Sequence, residues 1–335
     1  MPQPETTTRS STAMITTFAP APGRHPVPVT DRRRRRLDAL LRHSPAQPVF
    51  RARAARRLSV LAYHEIDDPT AFAAQMDRLL RLARPVSLDE VQRASVEDRP
   101  LPPRSVLVTF DDGDRSVVTE GLPVLARRSI PAVAFVVAGL VGGDQPFWWR
   151  EAHFLARHGG TARSLPPGGA PEAVVRRMKA LPDPDRRRSL AEMRVSATRR
   201  APRQAQLSPE DLHTLRGSGV RIGNHTLGHP CLDHCDEPTV RTEIVDAHRS
   251  LERWLGEPPT AFAYPNGNFD SRADGVLREL GYRLGFLFDH RHEALLPRNP
   301  LRISRLRVNA STSLHRFDTI LSGLHPAVHR LRGGT

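Results

Sequence analysis

Short apolar runs alternate with amphipathic helical patterns along most of this 335-residue chain, and this alternation limits the fold more than any other feature. Strands that alternate with helices form a mainly parallel sheet, and about seven of them suit a closed or nearly closed barrel. The chain therefore predicts an α/β barrel. The runs with the length and composition of buried strands are 58–66, 105–111, 131–140, 220–226, 260–267, 283–289 and 301–308.

Two segments do not follow this alternation of strands and helices. Residues 1–57 are rich in Thr, Pro and Arg, and we expect them to form a disordered tail. Residues 144–206 contain short amphipathic patterns joined by Pro and Gly, and we interpret them as a helical insertion. The predicted organisation is a tail over 1–57 and a barrel over 58–335 that carries the insertion.

The formal charge of +14 is concentrated in those same two segments. Residues 1–57 carry +9 and residues 144–206 carry +7, so the rest of the chain carries −2. The Arg-rich tail is either a solvated segment or a contact for an anionic surface. A basic protein that binds nucleic acid or an anionic surface, with an inactive barrel, is therefore the alternative function. The near-neutral barrel argues against specific nucleic-acid binding.

Membrane and export signals are not evident in the sequence. No apolar stretch approaches the ~20 residues of a membrane span, and the first 30 residues lack the pattern of a secretory signal. We therefore expect a cytoplasmic protein without a transmembrane segment, with export by another route left open. Cys231 and Cys235 are expected to be reduced thiols rather than ligands of a structural zinc.

Polar residues of matching chemistry follow four of the predicted strands, where barrels of this class carry their chemistry. One carboxylate and two imidazoles would hold a divalent ion, with Zn²⁺ expected, and leave a coordination position for water. The two histidines of "NHTLGHP" can reach one ion if the segment between them turns as a helical loop. The strand-end residues are His64 and Glu65, Asp111 and Asp112, His225 and His229, and Tyr264, Pro265 and Asn266.

A phosphatase is a further alternative, in which Asp112 and Asp114 of "FDDGD" form a nucleophile pair. It leaves the histidines without a role. It also lacks the lysine that such enzymes use on phosphate, because the chain's only lysine, Lys179, lies in the insertion.

The phrases "TFDDG", "NHTLGH" and "AYPNG", in this order, resemble the first three motifs of the polysaccharide deacetylases, or carbohydrate esterase family four. The resemblance covers roughly 58–143 and 207–310, including "LAYHEI". It implies a distorted (β/α)7 barrel and metal-dependent removal of an acetyl group from an N-acetylated carbohydrate or glycoconjugate.

The resemblance also implies the roles of individual residues. Asp112, His225 and His229 would bind the metal, and Asp111 would be the general base. The third motif would supply substrate contacts from Tyr264, Pro265 and Asn266, with the Tyr264 backbone N–H holding the oxyanion.

Two departures from the family pattern concern the residues around the base and the acid. Ala263 stands where the third motif commonly begins with an arginine, and Arg305 on a later strand is the candidate replacement, unless it is a surface arginine. The late leucine-x-histidine motif is not evident, since His315 falls at the start of the last helix. His64 is the candidate acid, and the alternative is a packed histidine.

Trp148 and Trp149 either border a substrate groove or anchor the insertion.

Overall fold

The computed structural model describes residues 38–166 and 168–331, and its strands form one sheet. The strands are β1 (Arg57–Tyr63), β2 (Arg84–Pro85), β3 (Ser105–Phe110), β4 (Ala132–Val136), β5 (Val220–Asn224), β6 (Ala261–Ala263), β7 (Leu284–Phe286), β8 (Glu293–Ala294) and β9 (Leu306–Arg307). The helices are α1 (Gln47–Ala54), α2 (Pro69–Leu82), α3 (Leu88–Val96), α4 (Leu122–Ala126), α5 (Trp148–Arg157), α6 (Pro171–Lys179), α7 (Asp183–Ser196), α8 (Pro209–Gly217), α9 (Glu237–Leu255), α10 (Ser271–Glu279), α11 (Leu314–Leu321) and α12 (Leu324–Leu331).

The central strands pair in parallel in the order β7-β6-β5-β4-β3-β1. Every residue of β3 and β4 is buried, and in β1 only the first residue is exposed. Strands buried on both faces are typical of a parallel sheet covered by helices, which explains their continuous apolar runs. The pairs β1–β8 and β2–β3 are short additions that the sequence pattern did not predict.

A segment near the C-terminus joins the two ends of this sheet. Ile303 forms a parallel bridge with Phe286 of β7, and β9 pairs in parallel with β1. The sheet therefore curls on itself as a distorted (β/α) barrel, as predicted. The predicted strand over 301–308 is wrong for most of its length, because a 3-10 turn covers Pro300–Arg302. The backbone N–H of Arg305 then donates to Asp289 Oδ1 at 3.2 Å instead of to a neighbouring strand.

The helices begin and end at the signals that the sequence carries. The Ser208 side chain accepts from the backbone N–H of Asp211 at the start of α8, and the Asp211 carboxylate accepts from the Ser208 N–H. The long helix α9 ends at Gly256, whose φ of 73° is open to glycine at little cost. In the described ranges, no helix combines the length and the apolar character needed to cross a membrane.

The segment 144–206 contains the three helices α5, α6 and α7 between β4 and α8. They enclose an apolar cluster of their own, separate from the barrel core, that includes Leu155, Met178 and Met193. The Trp148 indole N–H donates to the backbone carbonyl of His229 at 3.0 Å, and this buried bond ties the helices to the barrel.

The prediction of a disordered tail is wrong for residues 38–57; residues 1–37, with the Arg32–Arg36 run, lie outside the described residues. Helix α1 packs on α11, and Gln47 is buried. The Gln47 side chain accepts from the Ser322 hydroxyl at 2.9 Å, and Arg42 forms an ion pair with the buried Asp318 at 2.9 Å. Composition alone misses this order because arginines that pair with buried carboxylates need not be solvated.

Close packing at the barrel closure predicts opposite effects of adding a methyl group to two glycines. A Cβ at Gly285 would lie 2.4 Å from the Leu301 carbonyl oxygen, whereas a Cβ at Gly275 in α10 meets nothing within 4 Å. We expect Gly285→Ala to lower the free energy of unfolding by about 1–3 kcal/mol. Gly275→Ala should raise it by up to ~1 kcal/mol. Urea unfolding of both variants checks this, and equal stabilities would contradict the closure described above.

Candidate metal centre and active site

Three side chains from two strand ends form one buried cluster. Asp112 follows β3, and His225 and His229 follow β5. The Asp112 Oδ1 atom lies 3.4 Å from the Nε2 atom of each histidine, and the three ligand atoms lie within 4.8 Å of one another. Since β3, β4 and β5 are parallel neighbours, their carboxyl ends meet at the edge where barrels of this class carry their chemistry.

The loops that carry these side chains use backbone conformations that are costly for most residues. Asp112, Thr226 and His229 have φ values of 72°, 68° and 54°. Such strain costs about 1–3 kcal/mol per residue and persists only where the surroundings enforce it. Asn224 Oδ1 accepts from Thr226 N at 2.7 Å, and Thr226 Oγ1 accepts from His229 N at 3.0 Å. The predicted helical loop is wrong: side-chain bonds to the backbone bring the histidines together.

The hydrogen bonds of the cluster leave its inner atoms free. His225 Nδ1 lies 2.8 Å from the Ala263 carbonyl oxygen, which can only accept, so Nδ1 carries the proton. In the neutral ring, Nε2 therefore presents a lone pair toward Asp112. Asp112 Oδ1 and His229 Nδ1 are buried without a hydrogen-bond partner among the described residues. A carboxylate oxygen and two imidazole nitrogens gathered in this way fit a divalent cation.

The protonation equilibria of the cluster favour a cation at its centre. Burial lowers the pKa of His229 to about 3, which keeps that ring neutral at pH 7. Burial would also lower the pKa of His225, but Asp111 and Asp112 raise it above its usual value. Burial would raise the pKa of Asp112, yet the neighbouring His225, His64 and His229 imidazoles hold it below its usual range. The attraction that these carboxylates exert on a proton would act equally on a metal ion.

Asp111 forms a buried, bidentate ion pair with Arg305. Arg305 Nη1 and Nη2 donate to the two carboxylate oxygens at 2.6 Å and 2.7 Å, and the arginine is fully buried. Burial would raise the pKa of Asp111, but the Arg305 charge and, less strongly, that of His225 hold it below its usual value. Asp111 is thus ionised beside the cluster of Asp112, His225 and His229.

The third carboxylate of the first motif is fully engaged elsewhere. Asp114 Oδ2 accepts from Arg150 at 2.9 Å and from Gln204 at 3.1 Å, and its Oδ1 accepts from Ser116. Asp114 therefore holds loops in place. A nucleophile pair of Asp112 and Asp114, the phosphatase alternative, has no support in this geometry.

Of the two histidines considered for the acid, His64 lies at the cluster. It follows β1, is half-buried, and its ring meets Phe288 edge-on at 5.3 Å between centroids. It lines a pocket of about 260 Å³ together with Asp111 and Asp112. His315 instead contacts Arg42 through Nδ1 at 2.8 Å and does not line this pocket.

The third motif contacts the pocket through one residue only. The Tyr264 backbone N–H donates to the Phe286 carbonyl at 3.0 Å, and its buried phenol donates to Asp274 at 2.9 Å. The predicted roles of Tyr264 in substrate binding and at the oxyanion are therefore wrong, because the β6–β7 pairing uses that N–H. Pro265 is buried, and Asn266 lines the pocket.

The insertion supplies pocket residues that the sequence analysis left open or missed. The Trp149 ring lies 4.5 Å from the His229 ring between centroids and lines the pocket, while Trp148 anchors the insertion. Of the two roles considered for the tryptophans, Trp149 borders the pocket and Trp148 anchors the insertion. Lys179 Nζ lies 2.5 Å from Asn266 Oδ1 in the same pocket. Its only sequence signal was that it is the single lysine among 50 basic residues.

The two cysteines are buried and have no disulfide. Asn266 Nδ2 donates to Cys231 Sγ at 2.9 Å. Burial raises the pKa of Cys231 to about 11 and that of Cys235 to about 12, so both remain thiols at neutral pH. The only group of three or more possible metal ligands among the described residues is Asp112, His225 and His229, so the geometry gives no support to a zinc knuckle in "HPCLDHC".

A cleft of about 1150 Å³ leads from the protein surface to Asp112. The barrel contributes His64 and Glu65, and α5 and the segment 199–204 contribute most of the opposite wall. Arg150 bridges Glu65 and Asp114 at 2.5 Å and 2.9 Å, and so joins the two walls near the cluster. The cleft is large enough for several sugar units.

Comparison with known proteins gives one family. The family model described as polysaccharide deacetylase matches residues 98–285. A curated relative, the peptidoglycan-N-acetylglucosamine deacetylase of Bacillus cereus, is 26% identical over 80 residues, which are 24% of this chain and 37% of the relative. The match thus spans little more than a third of that relative's length.

Solved structures share the fold over most of the chain. The Streptococcus pyogenes deacetylase PplD, in complex with acetate, is 18% identical with a TM-score of 0.56, covering 79% of this chain and 98% of its own. IcaB from Ammonifex degensii is 23% identical with a TM-score of 0.56, covering 80% and 96%. A de-N-acetylase from Aggregatibacter actinomycetemcomitans is 16% identical with a TM-score of 0.54, covering 79% and 99%.

The buried pair of Asp111 and Arg305 predicts strong energetic coupling. Arg305→Gln leaves a buried carboxylate unpaired and should lower the free energy of unfolding by about 3–5 kcal/mol. Adding Asp111→Asn should restore much of that loss, as measured by urea unfolding of both single variants and the double variant. Arg194→Gln is the control, because it breaks a bidentate but half-exposed pair with Glu151 and should cost at most ~1 kcal/mol. Additive losses in the cycle would contradict the coupling.

Proposed function

Because the chain belongs to the polysaccharide deacetylase family, we propose that it is a metal-dependent hydrolase that removes the acetyl group from an N-acetylated carbohydrate or glycoconjugate. One observation carries the metal dependence. The buried Asp112 Oδ1 atom lies 3.4 Å from two imidazole nitrogens and has no hydrogen-bond donor among the described residues. The proposed domain boundaries and cytoplasmic location stay predictions.

Asp112, His225 and His229 would hold the ion, and this set of one carboxylate and two imidazoles favours Zn²⁺. When bound, such an ion polarises an amide carbonyl and makes a neighbouring water more acidic. The hydrogen bond from His225 Nδ1 to Ala263 fixes the ring orientation that this role requires.

Asp111 is the proposed general base, and Arg305 is the residue that positions it. The guanidinium uses one lone pair on each carboxylate oxygen, which leaves further lone pairs to accept a proton from water. The lowered pKa of Asp111 keeps this carboxylate ionised at neutral pH, and the rigid pair fixes its direction.

His64 is the proposed acid that protonates the leaving amine. It lines the same pocket as Asp111 and Asp112, on the side formed by β1. Trp149, stacked on Phe147 and close to His229, offers the part of its ring that lines the pocket to a sugar, and Asn266 offers an amide to the sugar hydroxyls. These contacts support binding of a carbohydrate with the acetamide next to the proposed ion.

The ligand roles predict a separation of metal binding from catalysis. The purified protein should contain about one divalent ion per chain, and Asp112→Ala or His225→Ala should lose it. Asp111→Asn should keep the ion but lower acetate release by about 10²–10⁴-fold, the range expected for a general base. Asp114→Asn is the control and should keep the ion.

Elemental analysis of each variant, combined with acetate release from a panel of N-acetylated sugars, provides the measurement. Activity of the wild type should stop on chelation and return when Zn²⁺ is added. Acetate release that survives both Asp111→Asn and His225→Ala would refute the assignment.

The role of His64 predicts dependence on the leaving group. His64→Gln should lower the rate on an amide by about 10²–10⁴-fold, because the amine must be protonated to leave. An activated aryl acetate needs no such proton, so its hydrolysis should be much less affected. His153→Gln, which also alters the cleft wall, should leave both rates near those of the wild type. Equal losses on amide and ester would show that His64 is not the acid.

A further inference from the structure

Two cations line the pocket around Asp112 without a part in the proposed reaction. Lys179 comes from α6 of the insertion, and its ammonium contacts Asn266 Oδ1 at 2.5 Å. Arg307 comes from β9, and its Nε and Nη2 atoms donate to the Phe288 carbonyl at 3.0 Å and 2.7 Å. Both partners are neutral amide oxygens.

Neither cation has a carboxylate within ion-pair distance in the part of the chain that the structure describes. Of the two acids that line the pocket, Asp111 is paired with Arg305, and Asp112 Oδ1 faces the two histidines at 3.4 Å. Burial lowers the pKa of Arg307, as expected for a cation that has lost water without gaining an anion at contact distance. A partly buried charge of this kind is costly unless a ligand neutralises it.

Lys179 is also unusual in composition. It is the only lysine in the chain, whereas every other one of the 50 basic residues is arginine. An ammonium is a compact charge with three donors on a flexible stem, and Asn266 uses one of them. Two donors remain for a ligand in the pocket.

Positively charged side chains also line the large cleft outside this pocket. Three arginines, without an ion-pair partner within 4 Å among the described residues, line the large cleft that leads to the pocket. They would attract an anion over about 8–10 Å at physiological salt. They are Arg157, Arg176 and Arg199; besides Asp112, the carboxylates in the same lining are Asp67 and the two that are paired there, Glu65 with Arg150 and Glu172 with His153.

We propose that the N-acetylated substrate carries an anionic oxygen group, a phosphate or a carboxylate, next to the acetamide, and that Lys179 and Arg307 bind this group. The inference rests on the proposed deacetylase function and narrows its substrate class. Together with a divalent ion held by Asp112, His225 and His229, the two cations give the pocket a net positive charge that a neutral sugar would leave uncompensated.

The test compares one N-acetylated disaccharide in three forms: neutral, carrying a phosphate monoester, and carrying a carboxylate. For the wild-type, metal-loaded protein, kcat/KM for at least one anionic form should exceed that for the neutral form by about tenfold or more, mainly through KM. The preference should shrink as salt is raised. The anionic form that is preferred identifies the group.

Lys179→Met should lower kcat/KM for the preferred anionic form by about tenfold more than for the neutral form. Arg177→Met is the matched control, since Arg177 lies on the same helix, is exposed and does not line the pocket. Equal kcat/KM for all three forms, or an equal loss on all of them in Lys179→Met, would overturn the inference and leave the deacetylase function intact.

A binding measurement separates the two proposals. Calorimetric titration of the metal-loaded Asp111→Asn variant with the three disaccharides reports affinity without turnover. Tighter binding of an anionic form supports the inference even if the wild type releases no acetate, in which case only the deacetylase function fails. Equal affinity for the neutral and anionic forms contradicts the inference, whatever the activity.

Discussion

The ion pair between Asp111 and Arg305 links the closure of the barrel to the chemistry of its site. Arg305 lies between Ile303, which bridges to β7, and β9, which pairs with β1. A fully buried guanidinium is unfavourable without a carboxylate, so the pairing with Asp111 stabilises the segment that closes the barrel. The fold and the orientation of the proposed base therefore depend on one contact.

This contact also explains how the chain departs from the family's third motif. Ala263 occupies the position where that motif commonly begins with an arginine, and the backbone carbonyl of Ala263 serves His225 instead. The guanidinium that contacts Asp111 comes from the closing segment, nearly two hundred residues after it in the sequence. The proposed base needs a cation that donates two hydrogen bonds to it from a fixed position. A long arginine side chain can supply this cation from another part of the chain.

The sequence predicts the features whose signal lies in neighbouring residues, and it misses the features that depend on tertiary contacts. The strand-end residues Asp112, His225 and His229 were predictable, because parallel strands carry their C-terminal residues to one edge. The interruption of the run at 301–308 was not, since it follows from tertiary bonds between backbone groups and the side chains of Asp289 and Glu293. The predicted oxyanion role of Tyr264 was wrong for the same reason, because only the β6–β7 pairing shows that its backbone N–H donates to the Phe286 carbonyl. Order in residues 38–57 likewise depends on buried partners on α11 and at its C-terminal end.

The insertion completes the site from a different part of the chain than the motifs. The barrel contributes Asp111 and the proposed metal ligands, which lie at strand ends or on strained loops that follow them. The helices α5 and α6 contribute an aromatic face and an ammonium, which carry no chemistry of their own but restrict what can lie against His229 and Asn266. The buried bond from Trp148 ties α5 to the backbone carbonyl of His229, a proposed metal ligand. The proposed substrate-binding wall and the proposed metal centre thus meet at His229, although the insertion and the barrel have separate apolar cores.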